Sequence, residues 1–120
     1  MKILLIIQAV ALLVYSIPLI LAPSTLLSIY GVSLSDGAKV MLQMFGGVAF
    51  GNAILSWLIR NASSSELKQN IILAFFIHWL VGFVVSLVGQ LSGAMNLLGW
   101  NFVVICFILT LFFGYFRFIK

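Results

Sequence analysis

The chain has 120 residues, 64% of them hydrophobic and 7% charged, with a formal net charge of +4. A water-soluble domain carries roughly a quarter charged residues, so this balance excludes one. The positive charge forms no basic patch interleaved with aromatics, so nucleic acid is not an expected partner.

Along the chain, four runs without Asp, Glu, Lys or Arg occupy residues 3–21, 40–59, 71–91 and 97–116. At a rise of about 1.5 Å per residue, each is long enough to cross a hydrocarbon core of about 30 Å. Backbone polar groups in lipid must be paired within the segment, which predicts α-helix for all four. The expected fold is an all-α membrane protein, four transmembrane helices in an antiparallel up-down bundle. It forms one domain over residues 1–120, with spans near 3–22, 38–60, 66–91 and 95–117.

The first run follows Lys2 and is longer than the apolar region of a signal peptide, so a retained first span is expected. It ends at Ala22-Pro23, because proline disfavours helix for the residue before it but is tolerated in a following first turn. From Pro23 to Tyr30 the apolar positions 26, 27, 29 and 30 predict a short helix lying in the outer interface, ended by Gly31. Ser35-Asp36 offers a cap for the second span, which ends near Arg60-Asn61. Ser63 with Glu66 three residues on has the spacing of a capping box at the start of the third. Gly93 suits the left-handed position after the third span's end. The short connection makes spans three and four antiparallel neighbours, and the same holds less tightly for spans two and three.

Basic residues are unevenly shared between the two sides. Lys2, Arg60, Lys68, Arg117 and Lys120 fall on one side, and only Lys39, beside Asp36, on the other. By the positive-inside rule both termini are expected in the cytoplasm, with the chain in a bacterial inner membrane and the bilayer as its first partner. The same charges offer contacts to anionic lipid head groups.

Three stretches resemble known sequences: Leu21-Ala22-Pro23 with Tyr30-Gly31; Gly46-Gly47 with Gly51 and Trp57; and Gly89-Gln90-Leu91-Ser92-Gly93 with Asn96 and Leu98-Gly99-Trp100. They are similar to a group of bacterial four-span membrane proteins labelled DoxX-like. The resemblance spans most of the chain and rests on glycines, a proline and tryptophans, which are helix-packing and interface residues. It implies a four-span fold. The group carries no agreed activity, so the resemblance implies no catalytic residue.

Helix association in lipid uses small residues and interhelical hydrogen bonds. Gly47-x-x-x-Gly51, with Gly46 and Ala53 nearby, predicts a close helix approach, either inside the bundle or at a homodimer face. The third span has a row of Ala74, His78, Gly82, Ser86 and Gln90. The fourth offers Asn101, Cys106, Thr110 and Gly114, and the first Gln8, Ala11, Tyr15 and Pro18. Counting from the basic anchors puts Gln8, Asn52, His78 and Thr110 in one layer, roughly 9–15 Å from the cytoplasmic side. Gln43, Gln90 and Asn101, with Tyr15 nearby, make a second layer in the outer half. Two readings compete for these layers. One is interhelical hydrogen bonding, worth about 0.6 kcal/mol per contact. The other is a ligand cavity.

His78 is a functional candidate because an ionisable group inside a span is costly. It could be an axial ligand to haem iron or chlorophyll magnesium, or relay a proton. It could also be a structural histidine bonded to a carbonyl or to Asn52. No other metal ligand set is present, and Cys106 reads as a packing residue. Enzyme chemistry needs several convergent reactive groups, whereas the carboxylates here are Asp36 and Glu66, in cap positions on opposite sides. No catalytic residue and no cofactor are therefore expected. The leading expectation is a non-enzymatic helix-packing module, working as a homo-oligomer or as an accessory subunit with other membrane subunits. The alternatives are a carrier or binder of an apolar or weakly polar ligand in the bundle interior, and a pigment- or haem-binding subunit through His78.

Overall fold

A computed structural model describes residues 1–119, with helices as its regular elements; Lys120, counted above among the basic residues, lies outside the described residues. Among those residues there are five α-helices and one 3-10 turn, and no strand. Four helical segments are long and apolar enough to cross a membrane: Lys2–Leu21, Asp36–Ile59, Glu66–Leu91 and Leu97–Phe118. The chain divides into two compact units, Met1–Asn61 and Ala62–Lys120.

In the first unit, α1 (Lys2–Leu21) leads into a short α2 (Pro23–Ile29) and then α3 (Asp36–Ile59). Pro23 opens α2, where its missing N–H costs no hydrogen bond. Gly31 follows with φ 76°, a left-handed conformation that other residues adopt only under strain. Ser35 caps α3, its hydroxyl accepting from the Ala38 N–H at 3.2 Å. Helices α1 and α3 run antiparallel, since Gln8 meets Ser56 and Gln43 meets Ile20. The buried stripe of α1 is Leu5, Gln8, Ala9, Leu12, Ser16 and Leu19, spaced at the helical period. It packs on a stripe of small residues on α3: Gly46, Ala49, Ala53 and Ser56. Large side chains on one helix thus meet an almost smooth surface on the other, which lets the backbones approach closely.

The second unit is a helical hairpin of α4 (Glu66–Leu91) and α5 (Trp100–Phe118), joined through the turn Leu97–Gly99. The cap of α4 is Ser65, accepting from the Lys68 N–H at 3.2 Å, which corrects the expected box of Ser63 and Glu66. Glu66 is the first helical residue, so the serine immediately before it holds the cap position and Ser63 lies two residues outside. Gly93 takes φ 80° after α4. The fourth span begins at 97, two residues later than expected, because the Asn96 side chain accepts from the Leu98 N–H at 3.0 Å and sets the start of the turn. Aromatic pairs hold the hairpin: Phe75 with Phe113 at 5.5 Å, Phe83 with Phe107 at 5.4 Å, and Phe76 edge-on to Phe118 at 5.3 Å.

The outward rows are apolar as well. On α1, Ile3, Ile7, Val10, Val14, Ile17 and Leu21 are all exposed. On α4, Leu67, Ile77, Val81, Val84, Val88 and Leu91 are exposed in the same way.

Candidate functional site

The polar residues that could form a site are distributed over both units, and each unit has its own geometry. In the first, Gln8 is fully buried and its amide donates to the Ser56 hydroxyl at 2.6 Å. Ser56 donates in turn to the Asn52 carbonyl at 2.8 Å. One hydroxyl therefore accepts a hydrogen bond from α1 and donates one to its own helix, with both roles of a hydroxyl used. Asn52 is half-buried and enters this chain through its backbone oxygen. Ser56 was not among the expected site residues. Its signal was the spacing of Gly46, Ala49, Ala53 and Ser56, a row of small residues at heptad-like intervals.

Near the other end of the same unit, the Gln43 amide donates to the Ile20 carbonyl at 3.0 Å. Ile20 lies in the last turn of α1, where carbonyls lack partners within the helix, so Gln43 acts as a cap supplied by α3. Tyr15 is half-buried and Ser16 fully buried, the latter donating to Leu13 O at 3.4 Å. An open cleft of about 530 Å³ lies where α1, α2 and the start of α3 meet, bordered by Pro23, Ser24, Asp36, Lys39 and Gln43. Lys39 and Asp36 pair there at 3.6 Å, and the Ser24 hydroxyl is buried without a partner.

The close approach in this unit is at Gly46. A methyl group on it would meet Ile20 Cγ1 at 2.9 Å, Leu19 Cβ at 3.1 Å and the Ser16 carbonyl at 3.2 Å. Gly47 and Gly51 are exposed and have nothing within 4 Å of such a methyl. Gly47 and Gly51 therefore take no part in the α1–α3 contact. One residue is about 100° of rotation, so the GxxxG pair points away from the face that Gly46 presents to α1.

In the second unit, Gln90 is buried, and its amide donates to the Asn96 carbonyl at 2.9 Å. Gly99 packs directly against that side chain: any Cβ there would collide with Gln90 Oε1. Thr110 is buried and donates to the Cys106 carbonyl at 2.6 Å. Ser86 donates to the Phe83 carbonyl at 3.1 Å, and Asn101 is exposed. Gly82 faces Cys106, whose sulfur lies 3.3 Å from where a Cβ would stand. Gly114 is the tighter contact, with Phe76 ring carbons at 3.0 Å and 3.2 Å.

His78 is half-buried and sits edge-on to the Trp79 ring, centroids 4.9 Å apart. By helical rotation it lies on the flank of the stripe of Phe75, Trp79, Gly82 and Ser86 rather than at its centre. His78 and Thr110 belong to the second unit and Gln8 and Asn52 to the first. Among the described residues, no three His, Cys, Asp or Glu side chains come together in a way that could hold a metal ion. The carboxylates are apart in function too: Asp36 pairs with Lys39, and Glu66 begins α4 exposed. What the arrangement does chemically is satisfy polar groups between and along helices.

No family model, no curated protein and no solved structure matches the chain.

Proposed function

We propose that the chain is a non-enzymatic integral membrane protein that works as a helix-packing module, either as a homo-oligomer or as an accessory subunit of a larger membrane complex. The observation that carries this reading is the two-faced character of its long helices. Inward polar groups bond across or along the helices, as in Gln8 to Ser56 and Thr110 to the Cys106 carbonyl, while their outward rows are large and apolar. Such rows need lipid or another apolar helix against them. Gly47 and Gly51 add a smooth strip on one outward face of α3, the kind of surface on which a second helix packs closely. The DoxX-like resemblance agrees with this architecture, and the basic asymmetry favours both termini in the cytoplasm of a bacterial cell.

The test is purification in mild detergent, read by native mass spectrometry and by visible absorption. The expected result is a mass at a multiple of the chain, or the chain with a second membrane subunit, and no chromophore band. A monomer carrying a Soret or chlorophyll band that disappears in His78→Gln would overturn the proposal in favour of pigment or haem ligation. A monomer that retains a small apolar molecule would overturn it in favour of a carrier.

A further inference from the structure

Among the described residues, the second unit gathers cationic groups without anionic partners at one end of its hairpin. Lys68 is 8% exposed, although lysine is among the residues least often buried. Its ammonium donates to the Ala62 carbonyl at 2.6 Å, which uses one of three protons. Arg117 is half-buried, and its Nε is a buried donor with no acceptor. The hairpin register brings the two residues to the same end. Gly99 lies against Gln90, Cys106 against Gly82 and Phe113 against Phe75. Continued by one more turn, that register sets Arg117 opposite Ile72, one turn of about 5.4 Å from Lys68 on the same α4 stripe.

Among the described residues, neither cation has a carboxylate to pair with in this unit. Its one carboxylate side chain is Glu66, two residues before Lys68 and so about 200° around the helix, on the opposite face. The ion pair among the described residues is Lys39 with Asp36, in the other unit. Arg60, also in the other unit, is engaged with Trp57, its guanidinium 3.7 Å from the ring centre, whereas the Arg117 guanidinium stands 5.5 Å from the Phe118 ring centre, a contact that leaves its Nε without an acceptor. A buried cation left with unused donors is costly unless an anion completes it.

We infer that Lys68 and Arg117 form a phosphate site at the start of α4 and the end of α5, filled by the head-group phosphate of an anionic phospholipid. The inference rests on the reading of this chain as a membrane protein, which places both residues at a span end, where head groups lie. An ammonium and a guanidinium fork together match a phosphate's several acceptor oxygens. An acyl chain attached to that phosphate would run along the exposed apolar row of α4, beginning at Leu67.

The experiment is thermal unfolding of the full chain in detergent with added phosphatidylglycerol, phosphatidylcholine or inorganic phosphate. Phosphatidylglycerol is expected to raise the melting temperature of the unmodified protein by about 4 °C or more, and phosphatidylcholine to do much less. Lys68→Gln and Arg117→Gln should each lower the phosphatidylglycerol shift to the phosphatidylcholine level, while Lys2→Gln and Lys39→Gln keep it. If Lys68→Gln does not fold, Arg117→Gln alone decides. Equal shifts from both lipids, or a full phosphatidylglycerol shift in the Arg117 variant, would overturn the site. A shift from inorganic phosphate with none from phosphatidylglycerol would overturn the lipid as its source. Membrane insertion is read separately, by resistance of the expressed chain to carbonate extraction, so a failed site and a failed membrane reading give different results.

Discussion

Ser56 connects two helices through a single hydroxyl, and its removal separates structural from accidental polarity in the first unit. Ser56→Ala removes the hydroxyl that joins the buried Gln8 amide to α3, which is expected to cost about 1 kcal/mol of stability in detergent unfolding. Asn52→Ala should cost less, since only the backbone oxygen of Asn52 enters that hydrogen-bond chain and an alanine keeps it. Equal losses would mean that the Asn52 side chain has a role of its own. That Gln8 would face inward was legible in the sequence, because a glutamine in an apolar run must find a partner. The identity of the partner was not. Asn52 and Ser56 sit one helical turn apart on the same side of α3, and depth counting resolves about one turn at best. His78 shows the same limit: the four-residue row predicted the side of α4 but not that the imidazole would stand on its flank, against Trp79.

At the scale of elements, the four long helices were readable because charged residues flank uninterrupted apolar runs, and lipid allows only helix there. Rotation about the helix axis was harder to read. Gly46, Gly47 and Gly51 together permit several close-contact faces, and the familiar GxxxG spacing selected the pair that faces away from α1. Gly46→Leu is therefore expected to destabilise the monomer by about 2 kcal/mol or more, through overpacking against Leu19, Ile20 and the Ser16 carbonyl. Gly47→Leu and Gly51→Leu should leave monomer stability nearly unchanged and act on self-association instead, read by analytical ultracentrifugation in detergent. A monomer destabilised as strongly by Gly47→Leu as by Gly46→Leu would refute this orientation of α3. The cap of α4 was ambiguous for a related reason, since three serines in succession each fit a cap. Ser65→Ala should cost about 1 kcal/mol and Ser63→Ala almost nothing, measured by thermal melts of the two variants side by side.

At the scale of the molecule, orientation in the membrane is expected to follow charge, by the positive-inside rule. The sequence alternation of spans assigns Lys2, Arg60, Lys68, Arg117 and Lys120 to one expected side and Lys39 to the other, and the Lys39 charge is partly offset by Asp36 at 3.6 Å. Short connections make each of these residues count, because the bias acts on charges close to the span ends. Trp57 fits the same orientation. It is half exposed and carries the Arg60 guanidinium over its ring, an arrangement suited to a head-group interface where one end is apolar and the other wet. Trp100, at the start of α5, is expected at the opposite interface. A reporter active only in the cytoplasm, fused after Lys120, is thus expected to give signal, and one active only outside the cytoplasm to stay silent. The reverse pattern would show that the chain is inserted the other way round. Because the asymmetry rests on several residues, one neutralisation such as Lys2→Gln should leave the pattern intact. Neutralising Arg60, Lys68 and Arg117 together, with an added lysine pair beside Lys39, should yield mixed or reversed signals. If that combined variant keeps the original pattern, something other than the basic residues directs insertion.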